Sequence, residues 1–311
     1  MSALICGSMA YDTIMVFPDR FKQHILPEQI HILNVAFLVP ELRREYGGCA
    51  GNIAYNLKLL GQTPKILATV GKDFGPYADW LSSHGITREY IKVLDGHYTA
   101  QAYITTDLDD NQITAFHPGA MNHAHENKIP DKAGIRLGLI SPDGKEGMIQ
   151  HAEAFHQAKI PFIFDPGQGL PMFSGEELLS LIEKSYWVTL NDYEAKLMQD
   201  RTGLGTEDLA AKVKALIITQ GSKGSVIYSE GQMFVIPPAK PKGTQDPTGC
   251  GDAYRAGLVH GYLEGFDLET TGKIASLMGA IKVESPGTQN HRFTRDEFRT
   301  RFRENFGSSL G

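Results

Sequence analysis

The residues best suited to chemistry form a loop at positions 246–253, with the sequence Asp-Pro-Thr-Gly-Cys-Gly-Asp-Ala. The loop follows a predicted strand over Phe234–Pro238 and leads into a predicted helix over Ala253–Glu264, which ends at a glycine. No Lys-Ser or Lys-Thr pair follows its glycines, and it lacks the G-x-G-x-x-G spacing of dinucleotide-binding loops. It is therefore neither a Walker A loop nor a Rossmann fingerprint.

The glycines of this loop predict an anion cradle. Gly249 and Gly251 flank Cys250, so consecutive backbone N–H groups lie uncrowded at the positive end of the helix dipole, a site suited to a transferring phosphoryl group. Asp252 falls in the first turn, where the dipole favours the carboxylate form that can accept a proton from a hydroxyl. The alternative is a tight turn in which Asp252 only caps the helix. The helix start could also lower the pKa of the Cys250 thiol.

Short apolar runs typical of strands alternate with segments long enough for helices. The predicted strands are Leu4–Cys6, Ile66–Val70, Ile135–Ile140, Phe162–Phe164, Trp187–Leu190 and Leu216–Thr219. The clearest predicted helices, each followed by a glycine, are Asn52–Leu60, Tyr77–His84 and Ala253–Glu264. This alternation predicts a mostly parallel sheet with helices on both faces. Small residues on the last helix, including Gly257 and Gly261, predict very close packing against a neighbour.

Two segments break the alternation, residues 14–46 and 99–116. In the second, Gln101–Thr106 and Gln112–Phe116 flank Asp109-Asp110-Asn111, which predicts a β-hairpin with an Asp/Asn turn. We expect the two segments to form a small β-sheet lid. The remaining residues are expected to form one large α/β domain that binds substrate and nucleotide, and they are 1–13, 47–98 and 117–311.

The composition indicates a folded α/β chain. Its 311 residues are 41% apolar and carry 30 basic against 36 acidic side chains, a net charge of −6. This balance does not suggest the concentrated basic face of a nucleic-acid-binding protein. The three cysteines are widely spaced, no basic segment precedes the first apolar run, and no apolar run is as long as a membrane helix. We therefore expect a cytoplasmic protein with no nucleic-acid or membrane partner.

The loop at 246–253 resembles the C-terminal signature of the ribokinase-like (PfkB) carbohydrate kinases, D-T-x-G-A-G-D. Other matches follow in the family's order: Gly47-Gly48-Cys49-Ala50-Gly51-Asn52, Val70-Gly71-Lys72-Asp73, Asn191-Asp192-Tyr193-Glu194 and Thr219-Gln220-Gly221-Ser222-Lys223-Gly224. Residues 6–12, 116–121 and 165–171 are similar to bacterial and archaeal nucleoside (adenosine) kinases. The resemblance implies a three-layer α/β/α fold with a mostly parallel central sheet and a small β lid.

The resemblance also implies a nucleoside site. Asp252 would be the general base for the 5′-hydroxyl, and Gly249, Cys250 and Gly251 would donate backbone hydrogen bonds to the phosphoryl group. Asp12 follows the first strand, so we expect it at the carboxyl edge of the main sheet, accepting hydrogen bonds from the ribose hydroxyls. The other candidates are Gly47 and Gly48 for close backbone approach, Asn52 as donor and acceptor, Phe116 for stacking, and Gln101 and Gln168 for hydrogen bonds. Ordinary packing is the alternative for Phe116 and Gln101.

ATP and Mg²⁺ are the cofactors that the resemblance implies. Asn191 and Glu194 lie three residues apart, on one face of a helical turn, and in the family this pair organises the Mg²⁺ and phosphate region, the carboxylate through water. Thr219, Gly221 and Gly224 form the strand-to-turn loop that meets the nucleotide phosphates in relatives. A surface glutamate and a plain tight turn are the alternatives.

Some members of the family bind a monovalent cation near the 246–253 loop. They use the equivalents of Asp246 and Thr248 together with carbonyls of a later segment, here Glu284–Gln289. The Pro-Gly pair inside that segment departs from the family pattern, so a requirement for K⁺ stays open. Pro247 stands where the family usually has Thr and is expected to stiffen the loop.

We expect an ATP-dependent kinase that phosphorylates the 5′-hydroxyl of a nucleoside for salvage, with adenosine as the first candidate and inosine, guanosine and cytidine as others. A sugar kinase acting on ribose, fructose or a phosphorylated sugar is the main alternative. A phosphorylated acceptor would need clustered basic residues in the lid, where Arg43-Arg44 is the compact pair. A non-catalytic nucleoside- or nucleotide-binding regulator on the same scaffold is a lesser alternative. Monomer and homodimer are both open.

Overall fold

The computed structural model describes residues 2–25, 34–109, 111–130 and 134–310. The predicted turn residue Asp110 lies outside these ranges, as do residues 26–33 of the first predicted insertion. Within the ranges, no helix is both long enough and apolar enough to span a bilayer.

The described strands belong to two separate sheets. In chain order they are β1 (Ser2–Cys6), β2 (Ala10–Val16), β3 (Glu41–Gly47), β4 (Lys65–Gly71), β5 (Ile91–Leu94), β6 (Ala100–Thr106), β7 (Gln112–His117), β8 (Ile135–Ile140), β9 (Phe162–Phe164), β10 (Trp187–Asn191), β11 (Ala215–Thr219), β12 (Ser225–Ser229) and β13 (Gln232–Ile236). The large sheet has the order β13-β12-β11-β10-β9-β8-β1-β4-β5, and the small sheet has the order β3-β2-β6-β7.

The large sheet is parallel except at one edge, where β12 pairs antiparallel with both β11 and β13. All six predicted strands are confirmed, each within two residues of its predicted ends. Every residue of β1 is buried. Ala3 and Ile5 pack into one apolar layer while Leu4 and Cys6 pack into the other, as expected when both faces of a parallel sheet are covered.

Helices supply those two layers. They are α1 (Cys49–Leu59), α2 (Gly75–Ser83), α3 (Lys145–Gln157), α4 (Gly175–Lys184), α5 (Asp192–Thr202), α6 (Thr206–Ala211), α7 (Cys250–Glu264), α8 (Leu268–Lys282) and α9 (Arg295–Phe306). Apolar residues of α1, α2 and α7 cover one face of the sheet, and those of α3, α4, α5 and α6 cover the other. The predicted three-layer α/β/α architecture is confirmed.

The predicted close packing of α7 is also present, and its partner is α8. A Cβ added at Gly257 would lie 2.4 Å from Ala275 Cα, and one at Gly261 would lie 2.4 Å from Thr271 Oγ1. Since real Cβ atoms do not approach other atoms so closely, both positions require glycine for the two helices to touch. This contact fixes the axis of the helix that carries Asp252 at its start.

The small sheet is the predicted lid, but its borders differ from those predicted. It begins at Ala10 and includes His117, because β2 pairs with β3 from Ala10 and β6 pairs with β7 as far as His117. The predicted hairpin is β6 and β7. Its turn is held by Asp107, whose Oδ1 accepts hydrogen bonds from the backbone N–H groups of Asp109 and Asn111, both at 2.9 Å.

Candidate active site

The loop at 246–253 turns into α7 through Gly249. This residue precedes the helix with φ at 78°, in the left-handed region that glycine adopts at little cost. The first intrahelical bond runs from Ala253 N to Gly249 O at 2.9 Å, so the N–H groups of Gly251 and Asp252 precede it. The start of α7 therefore offers backbone donors at the positive end of its dipole, which is the chemistry of an anion cradle.

Cys250 contributes less than predicted. Its N–H donates to Pro247 O at 3.1 Å, so this predicted cradle donor is already used within the loop. Burial raises the pKa of its thiol to about 11, and this outweighs the lowering effect of the nearby Lys282 ammonium. The suggestion that the helix start lowers this pKa is wrong, because desolvation of the thiolate dominates. Cys250 is therefore not an activated nucleophile.

The carboxylate of Asp252 is held in place by α1. Asn52 Nδ2 donates to Asp252 Oδ2 at 2.8 Å, and Asn52 is in turn fixed by Gln289, whose Nε2 donates to Asn52 Oδ1 at 3.0 Å. Trp80 Nε1 donates to Gln289 Oε1 at 2.9 Å, which sets the orientation of that amide. This chain of hydrogen bonds fixes the orientation of the Asn52 amide, so that its nitrogen donates to the carboxylate of Asp252.

The environment of Asp252 opposes its ionisation. Burial raises its pKa to about 6, and the carboxylate of Asp165 acts in the same direction. The hydrogen bond from Asn52 and the guanidinium of Arg255 work against this rise, since both stabilise the charged form. The result is a carboxyl group that is ionised at neutral pH yet basic enough to take a proton in a transition state.

Asp12 lies in the lid and not, as predicted, at the carboxyl edge of the main sheet. It is on strand β2, opposite Glu45 of β3 and Ala102 of β6. Gly47 makes room for its carboxylate, because a Cβ there would lie 2.4 Å from Asp12 Oδ2. Burial raises the pKa of Asp12 to about 6, and the carboxylates of Glu45 and Asp246 add to the rise.

Tyr77 connects the two carboxylates. Its hydroxyl donates to Gly47 O at 2.9 Å, beside Asp12, and accepts from Gln289 Nε2 at 2.7 Å, beside the residues that hold Asp252. Burial raises the pKa of the Tyr77 hydroxyl, and both Asp12 and Asp252 lie near enough to raise it further. Asp12 in the lid and Asp252 in the large domain therefore border the same region.

Gly48 sets the start of α1 against the lid. Its φ is 84°, and a Cβ there would lie 2.6 Å from both Ala10 N and Ser8 O. Only glycine fits, because both the backbone conformation and the space exclude a side chain. This contact places Asn52, in the first turn of α1, between the lid strand and α7.

The two predicted base contacts in the lid lie on opposite faces of the small sheet. Phe116 is opposite Ala102, which is opposite Asp12, so all three share a face, and Phe116 is 51% exposed there. Gln101 is on the other face and is buried. Its Nε2 donates to Asp73 Oδ2 at 3.0 Å and its Oε1 accepts from Tyr103 at 2.8 Å, which favours a structural role at the lid hinge.

Arg255 holds α7 against the main sheet. One turn after Asp252, it is buried and makes a two-pronged ion pair with Asp165, with Nε to Oδ2 and Nη2 to Oδ1 both at 3.0 Å. Its Nη2 also lies 3.9 Å from Glu194 Oε2. Asp165 follows β9 and Glu194 follows β10, so Arg255 joins α7 to two adjacent strand ends.

Asn191 and Glu194 form a capping box at the start of α5. Asn191 Oδ1 accepts from Glu194 N at 2.7 Å, and Glu194 Oε2 accepts from Asn191 N at 2.8 Å. The Oε1 of Glu194 takes no part in the cap. This oxygen is of the type that could hold Mg²⁺ through water, whereas the Asn191 oxygen is already used in the cap. Within the described ranges, no cluster of three or more His, Cys, Asp or Glu side chains could hold a metal by themselves.

The remaining predicted nucleotide residues, together with Gln168 of the predicted nucleoside contacts, lie along the carboxyl edge of the large sheet. Thr219 is paired in register with Asn191, and its hydroxyl donates to Leu190 O at 3.3 Å. Gly221 and Gly224 form the turn into β12 with φ values of 55° and 93°. Gln168, after β9, is exposed at the same edge. The structure thus brings these residues to one edge.

Several residues of this site escaped sequence reasoning. Gln289 and Trp80 carry no motif, and only the tertiary fold brings them to Asn52. Arg255 and Lys282 had a signal that was overlooked, because each is a cation flanked by a run of apolar or small residues in its helix. A buried cation requires a partner, so a search for acidic groups or carbonyls near them was justified.

Comparison with known proteins decides the family. Residues 8–294 match the family model of the pfkB family carbohydrate kinases. The chain belongs to the pfkB family of carbohydrate kinases. A nucleoside kinase of Methanocaldococcus jannaschii is 35% identical to it over 266 residues, which cover 85% of this chain and 87% of the relative.

Solved structures of this family are also similar to the chain. The nucleoside kinase of Burkholderia thailandensis in complex with inosine has a TM-score of 0.91 at 48% identity, covering 99% of this chain and 100% of that one. The same enzyme in complex with ADP-inosine has a TM-score of 0.87 at 51% identity, covering 99% and 97%. This chain and the B. thailandensis enzyme therefore share the ribokinase-like fold.

Breaking the buried ion pair of α7 is expected to be costly. Arg255→Met leaves Asp165 charged, buried and unpaired, so we expect a loss of about 3–5 kcal/mol in the free energy of unfolding. The double variant Arg255→Met/Asp165→Leu removes both charges and should recover more than half of that loss. Urea denaturation measures both. A double variant no more stable than the single one would contradict this account.

The raised pKa values predict an acid limit to activity. Asp252 and Asp12 both have a pKa of about 6, and their expected roles require both as carboxylates, so kcat/KM should fall as the pH drops below about 6, with a slope approaching two protons. Asn52→Ala removes a hydrogen bond that lowers the pKa of Asp252 and should move the limb to higher pH. Asp12→Asn should reduce the slope to one proton. Steady-state rates between pH 4.5 and 8.5 test both shifts.

Proposed function

We propose that this chain is an ATP-dependent nucleoside kinase that transfers the terminal phosphoryl group of ATP to the 5′-hydroxyl of a nucleoside. The observation that carries the proposal is the carboxylate of Asp252, held by Asn52 at the start of α7 and bordering the same region as Asp12 of the lid. A proton acceptor next to backbone N–H donors suits the transfer of a phosphoryl group to an alcohol.

Each part of the site has a role in this reaction. Asp252 takes the proton of the 5′-hydroxyl as its oxygen attacks the γ-phosphorus, and ADP leaves on the opposite side. The N–H groups of Gly249 and Gly251 at the helix start stabilise the charge on the transferring group. Asp12 accepts hydrogen bonds from the ribose hydroxyls, which fixes the distance of the reacting oxygen from Asp252. Closure of the lid over the sugar excludes water.

The nucleotide is proposed to lie along the carboxyl edge of β10 and β11. Thr219, Gly221 and Gly224 would approach its phosphates, and Glu194 would hold Mg²⁺ through water. When bound, the ion would offset the negative charge of the phosphates, which the acidic groups of this site cannot do. The M. jannaschii and B. thailandensis relatives described above, both nucleoside kinases, support the proposed nucleoside kinase activity but say nothing of these residues.

A nucleoside is favoured over a phosphorylated sugar by the lid. The pair Arg43-Arg44 does not form a phosphate clamp, because the Arg44 guanidinium lies 4.0 Å from the centroid of the Tyr11 ring and Arg43 lies 3.5 Å from Glu45 Oε1. The exposed ring of Phe116, on the face that carries Asp12, offers a stacking surface for a base. Among bases, we propose adenine first, followed by other purines and cytosine.

The thiols support a reducing compartment. Cys6, Cys49 and Cys250 are all free, and burial raises the pKa of each thiol. Free thiols of this kind are typical of proteins that work in the cytoplasm, so we propose that location for the kinase.

Replacing the proposed base separates chemistry from binding and stability. Asp252→Asn keeps the hydrogen bond from Asn52 but cannot take a proton, so we expect kcat to fall by about 10³-fold or more with nucleoside affinity nearly unchanged. Because ionisation of the buried carboxyl costs stability as the pH rises from about 4 to about 6, the variant should also be about 1–2 kcal/mol more stable at pH 8. ADP release, calorimetry and urea denaturation measure these three quantities.

Asp200→Asn is the matched control, since Asp200 is an exposed aspartate in a surface ion pair with Lys196. It should change neither kcat nor stability noticeably. Near-normal turnover by Asp252→Asn would exclude Asp252 as the base.

A substrate panel tests the acceptor. ADP release with adenosine, inosine, guanosine, cytidine, ribose, fructose and ribose 1-phosphate should give kcat/KM values at least about 100-fold higher for the best nucleoside than for any sugar. Phe116→Ala should raise the KM for that nucleoside about 10-fold through loss of stacking and leave ribose unaffected. Ile113→Ala, on the same strand but the opposite face, is the control. A sugar as the best substrate would reject the nucleoside assignment.

A further inference from the structure

Two backbone oxygens near the 246–253 loop, where a monovalent cation was expected, already accept hydrogen bonds from a side chain. The ammonium of Lys282, on the last turn of α8, donates to the backbone oxygen of Asp246 at 2.7 Å and to that of Ser285 at 3.1 Å. The Lys282 residue is entirely buried, with 0% of its surface exposed. A positive charge therefore already lies between the two backbone segments that a cation would join.

The carboxylate of Asp246 is used as well. Its Oδ1 accepts from Thr248 N at 2.9 Å, and its Oδ2 accepts from Gly287 N at 2.8 Å. An ion here would have to replace the Lys282 ammonium at the two backbone oxygens, and beside that ammonium it would be repelled by the like charge. The donor set at this site therefore does not fit K⁺.

We propose that the buried ammonium of Lys282 takes the place of a monovalent cation beside the 246–253 loop, so that phosphoryl transfer by this chain requires no K⁺. Lys282 is a positioning residue. It acts by tying the carbonyl at the start of the cradle loop to the 284–289 loop, and thereby orders the backbone that leads to the N–H donors of Gly249 and Gly251.

The location of Lys282 favours this role. Burying an ammonium is costly unless it is hydrogen-bonded and near compensating charge, and here two carbonyls, the Asp246 carboxylate and the negative end of the α8 dipole supply both. An ammonium and a K⁺ ion carry the same charge and are similar in size. The 284–289 loop also supplies Gln289, which orients Asn52 at the base, so a disordered loop would affect both the cradle and Asp252.

The first measurement uses the unaltered protein and rests on the proposed kinase activity. Nucleoside-dependent ADP release is followed in potassium chloride and in tetramethylammonium chloride at equal ionic strength, with Mg²⁺ and ATP constant. We expect kcat in the two salts to agree within about 1.5-fold. Activation by K⁺ of more than about 3-fold, with saturation, would overturn the proposal.

The second measurement removes the ammonium. Lys282→Ala opens the space between the two carbonyls, so kcat in tetramethylammonium chloride should fall about 10-fold or more. Adding K⁺ or NH₄⁺ should raise the kcat of this variant about 3-fold or more. Lys282→Met fills the space with an uncharged side chain and should be equally impaired but unresponsive to K⁺. Lys273→Ala is the matched control, since it removes an exposed lysine of the same helix, paired with Glu269. Undiminished kcat of Lys282→Ala without K⁺ would overturn the proposal.

Thermal denaturation gives a readout that needs no activity. K⁺ should raise the Tm of Lys282→Ala by several degrees relative to tetramethylammonium and leave the unaltered protein unchanged. If Lys282→Ala folds only with K⁺ present, that dependence supports the proposal in the same way. A Tm of Lys282→Ala that is the same with and without K⁺ would overturn the proposal. Absence of kinase activity in every salt, with this Tm difference present, would reject the proposed function and leave the role of Lys282 standing.

Discussion

Keeping a carboxylate ionised while protein atoms surround it is the constraint on which the rest of this site depends. The proposed base, Asp252, must be charged to accept a proton, yet burial and the carboxylate of Asp165 both raise its pKa. The molecule offsets this with the Asn52 amide, the start of α7 and the Arg255 guanidinium. The Asn52 amide and the Arg255 guanidinium are themselves held by buried partners, Gln289 and Asp165. This explains why several polar side chains are buried around Asp252.

Two buried cations on neighbouring helices organise this region. Arg255 of α7 binds Asp165 at the sheet, and Lys282 of α8 binds carbonyls of the two loops beside the cradle. Close contact of α7 and α8 at Gly257 and Gly261 keeps the two charges in a fixed relation. The glycines of α7 therefore set the separation between the helix that carries Asp252, the proposed base, and the helix that carries Lys282.

The lid is joined to the large domain by hydrogen bonds on the face away from Asp12. Asp73 receives hydrogen bonds from Thr99 N and from Gln101, and its backbone oxygen accepts from the Tyr11 hydroxyl. The other face carries Asp12 and Phe116. Strand β2 thus alternates between a hinge contact at Tyr11 and the proposed ribose contact at Asp12, and Gln101 of β6, paired with Tyr11, lies on the hinge face.

The sequence by itself determined most strands of the large sheet, three of its helices and the 246–253 loop, because apolar runs, glycine stops and this motif are local patterns whose physics acts over a few residues. It also indicated the lid, but it placed Asp12 at the edge of the large sheet. No local pattern shows that the chain leaves the large sheet after β1 and enters the small sheet at β2. Only the tertiary structure decided that Gln101 lies on the hinge face, that Gln289 and Trp80 orient Asn52, and that the Lys282 ammonium joins the backbone oxygens of Asp246 and Ser285. Those contacts join residues that are far apart in the chain, and they exist only once the helices have packed.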